Sequence, residues 1–124
     1  MSQDNAAAEF AVRRTITRYA HTMDARQVDE NLALYTDDAV LTLNGTPYNG
    51  RDAIRGWVME LAKSPAGIHM TGNTIGDKAH AVSDFLYVRK SPEGWKVIAA
   101  GRYTDTLQKR GSAWLFTRRE LTVS

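Results

Sequence analysis

The chain has 124 residues, 43% of them hydrophobic and 24% charged, a balance that fits one globular domain over 1–124 with enough apolar residues for a core. Its 16 Lys and Arg face 14 Asp and Glu, and no basic run exceeds two residues, so no nucleic-acid footprint is expected. The absence of cysteine excludes disulfides, thiolate catalysis and Cys-ligated metal centres. No stretch approaches the roughly 18 apolar residues of a membrane span. The first residues carry acidic side chains and no apolar signal segment, so the expectation is a cytoplasmic protein that does not engage membranes.

From residue 6 to about 24 the pattern is helical. Val12, Ile16, Tyr19 and Met23 recur three and four apart, with Phe10 and Ala20 expected on the same apolar face and Arg13, Arg14, Thr17 and Arg18 between them. Asp4 or Asn5 can cap the start. A shorter helix is predicted over about 28–35, with Leu32, Leu34 and Tyr35 apolar. A strand is predicted over 39–43, and the Asn-Gly pairs at Asn44-Gly45 and Asn49-Gly50 suggest a hairpin. Residues 51–63 read as a third helix, with Ile54, Trp57, Val58 and Leu61 on one stripe. The period then changes. Strands are predicted over 67–75, 79–89, 95–107 and 113–122, with turns between them. Helices first and consecutive strands after predict an α+β fold: a cone-shaped, curved antiparallel sheet with about three N-terminal helices on one face, enclosing a pocket.

"GIHMTGN" is the informative stretch. Alternation puts His69, Thr71 and Asn73 on one face of a strand and Ile68 and Met70 on the other. Asp24 ends the apolar stripe of the first helix, where a carboxylate is costly without a partner. A His–Asp pair moves protons, because the carboxylate orients the imidazole and stabilises it once charged. The residues also allow a plainer reading, with Asp24 ending its helix and His69 half-exposed.

The blocks "YAHTMDARQVDENLALYTDDAVL", "YNGRDAIRGW", "HMTGNT" and "GRYTDTLQKRGSAWLFTRREL" resemble the SnoaL-like branch of the nuclear-transport-factor-2-like superfamily across nearly the whole chain. Among its members, scytalone dehydratase and hexachlorocyclohexane dehydrochlorinase are similar in placing an Asp at the end of the first helix and a His on the first long strand. The resemblance implies a cofactor-independent lyase without a metal, with His69 as general base and Asp24 orienting it. It also implies a small, mostly apolar cyclic or aromatic substrate. Two departures stand out: the second His of scytalone dehydratase has no counterpart here, and Tyr19 stands where the dehydrochlorinase has Lys. Tyr19 or Tyr103 could donate a proton, and Arg119 could stabilise developing negative charge.

Alternation extends the lining to Phe85, Tyr87 and Tyr103 on the strands, with Leu41 on the early strand and Trp57 and Met23 on helices. Gly101, inside a strand, suggests a bend or room for a ligand. An Asp–Arg–Asp water-activating set (Asp84, Arg102, Asp105) is disfavoured, because Asp84 falls on the face opposite Phe85. His21 and His80 are expected to be exposed. Two other readings remain open: an isomerase or polyketide cyclase using the same base, and a non-catalytic ligand-binding or scaffold module. Trp95, Val97, Val82, Leu86 and Trp114 are expected on the outer sheet face, an apolar patch suited to a homodimer or a trimer.

Overall fold

The computed structural model describes residues 3–77 and 79–124. Its elements are α1 (Gln3–Asp24), α2 (Val28–Leu32), β1 (Tyr35–Leu43), β2 (Thr46–Asn49), α3 (Arg51–Ala62), β3 (Ile68–Gly76), β4 (His80–Ser91), β5 (Gly94–Arg110) and β6 (Ala113–Val123). The six strands form one curved, open sheet in the order β2-β1-β6-β5-β4-β3, with the helices on one face. The sheet is mixed rather than wholly antiparallel. The last strand lies between β5 and β1 and runs parallel to β1, pairing Leu41 with Arg119.

The helix α1 forms because its apolar residues return every three or four positions. Val12, Ile16, Tyr19, Ala20 and Met23 are buried, while Arg13, Arg14, Thr17 and Arg18 stay in water. Burying each large side chain of that stripe contributes about 1.5–3 kcal/mol. Phe10 does not join the stripe and is 67% exposed. The helix starts at Gln3, so Asn5 lies inside it rather than capping it, and the Asp4 side chain lies outside the described residues. Tyr35 belongs to β1, not to the second helix, and is fully buried there.

Irregularities in the pairing of β3 to β6, at Gly72/Ile75, Tyr87/Val88 and Thr106/Leu107, bend the sheet over α1. The first also breaks the alternation in "GIHMTGN". Asn73 takes φ +51° and its amide reaches Asp84 on the outer face (3.4 Å), while Thr74 turns inward to Ser83 (3.0 Å). At Gly101 the missing side chain makes room for protein rather than ligand. A Cβ there would meet Thr122 O and stand 2.8 Å from Cε1 of Phe85. Trp114 packs against the core on the helix side, where the Thr15 hydroxyl bonds its carbonyl (2.5 Å), instead of joining the outer patch. That patch holds Ile68, Met70, Leu86, Trp95 and Val97, all exposed.

Candidate active site

Asp24 is the last residue of α1, and a carboxylate at a helix C-terminus is disfavoured by the helix dipole. The strand β3 offsets this. It is an edge strand, so donors on its free side lack a ladder partner. The backbone N–H of His69 donates to Asp24 Oδ2 (2.8 Å), and its ring Nδ1 lies 2.5 Å from Asp24 Oδ1. One carboxylate therefore holds both the main chain and the ring of His69. A carboxylate only accepts, which assigns the proton of the neutral ring to Nδ1 and leaves Nε2 bare as a base. The side chains are 16% and 20% exposed, enough for contact with a ligand at the surface of the core.

The inner face continues from there as a ladder of rings. Tyr87, paired with His69 across β3 and β4, has its ring centroid 4.6 Å from the imidazole, and its hydroxyl donates to Pro65 O (3.2 Å). Phe85 lies 6.4 Å from the imidazole and stacks on Tyr103 at 4.6 Å. Tyr103 meets Tyr19 edge-on at 5.6 Å. At the interior end the Arg119 guanidinium carbon sits 3.6 Å from the Tyr103 ring centroid, 4.2 Å from Tyr19 and 4.4 Å from Phe116. Arg119 Nε is 3.4 Å from Asp105 Oδ1, and both side chains are completely buried. The pair is an ion contact without hydrogen-bond geometry. No atom of either group finds a hydrogen-bond partner among the described residues.

Burial dominates the electrostatics of this cluster. It raises the Asp105 carboxyl to about 6 against the opposing pull of Arg119. It also raises the phenols of Tyr19, Tyr35 and Tyr103, which stay protonated at neutral pH. For Arg119 burial acts against the charge, but Asp105 and the three phenols together hold its pKa above the ordinary value.

The structure thus brings Asp24, His69, Tyr19, Phe85, Tyr87, Tyr103 and Arg119 into one continuous set. Leu41 is buried beside Arg119 across the β1–β6 ladder. Met23 is buried next to a small recess bounded by Thr22, Arg26, Val28 and Val58. Trp57 packs on Tyr48 of β2, the opposite edge strand from β3 (6.3 Å). His21 and His80 are exposed. Asp84 and Arg102 pair on the outer face (2.8 Å), away from the buried Asp105. The partner of Arg119 was missed as such, although alternation from Tyr103 already puts Asp105 on the inner face. A groove of about 930 Å³ runs along the outer side of α1, between Phe10, Arg14, Arg18 and Leu115, and does not include the dyad. Among the described residues no three His, Asp or Glu converge as metal ligands.

A model described as "SnoaL-like domain" matches residues 4–120. The chain belongs to the SnoaL-like family. No curated protein sequence matches it significantly. Among solved structures, a single-residue variant of Rv3472, a protein of unknown function from Mycobacterium tuberculosis, superposes with a TM-score of 0.84 at 23% identity, over 93% of this chain and 70% of that one. LinA gives 0.80 at 20% identity, over 96% and 87%. A protein from Novosphingobium aromaticivorans, provisionally named a scytalone dehydratase, gives 0.75 at 21% identity, over 94% and 83%. At these identities the likenesses establish the fold of this SnoaL-like chain.

Proposed function

We propose that this SnoaL-like protein is a cofactor-independent lyase, of dehydratase or eliminase type. Its substrate is a small, mostly apolar cyclic or aromatic molecule. The observation that carries the reading is the double hold of Asp24 on His69, which leaves Nε2 as the free basic nitrogen. In the reaction Nε2 takes a proton from a substrate carbon. The C–H electron pair forms a double bond to the adjacent carbon, and the group on that carbon leaves with its own bonding pair. The imidazolium that results is stabilised by Asp24 and returns its proton to the leaving group or to water. Such acid–base chemistry needs neither a metal nor an organic cofactor. The rings of Tyr87 and Phe85 beside the imidazole favour an apolar ring as substrate. The membership in the SnoaL-like family supports a cofactor-free lyase or isomerase class, and a protein named as a scytalone dehydratase is among the structures it resembles. The exposed outer face, with Met70 at 61% and Val97 at 61%, supports a homodimer formed through the sheet.

The test is turnover of a panel of hydroxylated and halogenated small rings. At least one compound should lose water or halide with the wild-type protein, and none should do so with His69→Ala. Unchanged turnover by a folded His69→Ala variant would sink the mechanism.

A further inference from the structure

The turn "DARQ" between α1 and α2 takes no part in the chemistry above, yet it holds an uncommon residue. Arg26 has φ +60°. Its N–H donates to Met23 O (3.2 Å), and the next N–H, of Gln27, reaches back to Thr22 O (2.9 Å). That bond pair is a helix ending in which the left-handed residue is usually glycine. An arginine there gives up backbone comfort, since L side chains disfavour the conformation. Its side chain supplies a compensation. Nη1 donates to Leu61 O (3.2 Å) and Nη2 to Ser64 O (2.6 Å). Those carbonyls lie at and just past the C-terminal end of α3, where the helix dipole favours a cation; Leu61 O also accepts the Ser64 N–H (3.0 Å).

Each end of this bridge lies close in the chain to one member of the dyad. Arg26 comes two residues after Asp24, and Ser64 five residues before His69. In the connection from α3 to β3, Lys63, Ser64, Pro65 and Ala66 are exposed; the Arg26 bond to Ser64 O and the Tyr87 hydroxyl bond to Pro65 O (3.2 Å) tie it to the body of the protein. We infer that Arg26 is the positioning residue of the dyad: it ties the end of α1 that carries Asp24 to the connection that leads into His69, and so fixes the register in which carboxylate and imidazole meet. It touches neither substrate nor reacting atoms. The consequence for turnover rests on the reading of His69 as the base, whereas the consequence for geometry does not.

Two readouts separate these. The Nδ1–H of His69, with Nδ1 held 2.5 Å from Asp24 Oδ1, should give a strongly downfield proton resonance, read by ¹H NMR with ¹⁵N-labelled histidine. Arg26→Gly and Arg26→Asn suit the left-handed backbone and remove only the guanidinium. Arg26→Lys keeps the charge and one of the two bonds. Arg55→Ala is the control, because it breaks a different contact of α3, the exposed pair with Asp29 (2.9 Å). The Gly and Asn variants should fold with unchanged near-UV circular dichroism but lose the downfield resonance. Turnover of a converted panel compound should fall about 10²-fold, the scale set by ångström-level misplacement. The Lys variant should recover part of both, and the Arg55→Ala protein should keep the resonance. A wild-type resonance in Arg26→Gly overturns the inference, as does loss of the resonance only together with the tertiary signal. A resonance that depends on Arg26 in a protein whose turnover ignores His69→Ala leaves the positioning role standing and removes the base.

Discussion

Asp24→Asn swaps one oxygen of the carboxylate for an NH2 of nearly the same shape, and the contacts of His69 dictate the outcome. The backbone N–H of His69, 2.8 Å from Asp24 Oδ2, can only donate. It therefore claims the single amide oxygen. The amide NH2 must then face Nδ1, 2.5 Å from the other carboxylate oxygen. Two donors cannot share that contact, so Nδ1 becomes the acceptor and the ring proton moves to Nε2. The base is then occupied by the proton it should be free to take. General-base catalysis contributes about 10²–10⁴-fold, and turnover should fall by that range while the fold persists. Replacing a charged acceptor by a neutral one in a pair only 16–20% exposed should also cost about 2 kcal/mol of stability. Two-bond ¹H–¹⁵N correlation spectra identify the tautomer directly, and urea denaturation gives the stability. A wild-type neutral ring with its proton on Nε2, or an Asn variant that keeps it on Nδ1, rules out this role for Asp24.

Other outcomes concern the buried end of the ring ladder and the outer face. The Asp105 carboxyl should titrate near pH 6 in the folded protein, read by its ¹³C shift, and a midpoint near 4 contradicts the burial argument. Its folded-state value lies above the unfolded one, so its contribution to stability is complete below about pH 4. That contribution is lost as pH rises through 6, a fall of about 3 kcal/mol measurable by denaturation at the two ends. Arg119→Ala should destabilise the fold by about 3–5 kcal/mol, because it leaves Asp105 buried without a counter-ion; a loss under about 1 kcal/mol places the pair in water. Met70→Glu, on the exposed face, should convert a sedimenting dimer to a monomer, and a wild-type protein that sediments as a monomer removes the proposed interface.

Much of the fold was legible because it is written in local periods. The stripe of α1 and the alternation of β4, β5 and β6 each appear in the residues themselves. What escaped depends on partners distant in sequence. Phe10 is the exception: it stands two residues before Val12, about 200° around the helix, on the side shared with Arg13, Arg14 and Thr17, and is 67% exposed. The parallel β1–β6 ladder comes from strand order, which no local pattern encodes. Asn73 leaves the polar row because the irregularity after Gly72 adds a residue to one strand and not to its neighbour. Asp24 and His69 were legible as a pair of chemical types, but their two-point contact depends on β3 being an edge strand. Arg26 was invisible as a bridge. Its acceptors lie 35 and 38 residues further on, and in the sequence it is one polar residue in a turn.

A proton taken from carbon by Nε2 of His69 leaves a carbanion-like centre that can exchange with solvent. Solvent deuterium incorporation tests this proton transfer most directly: a panel of cyclic ketones and halogenated rings is incubated in D2O with the protein and followed by NMR. Wild-type protein should remove the acidic C–H signal, by exchange or by elimination, and folded His69→Ala should not. Equal deuterium uptake or elimination by the two proteins would contradict the role of His69 as the base.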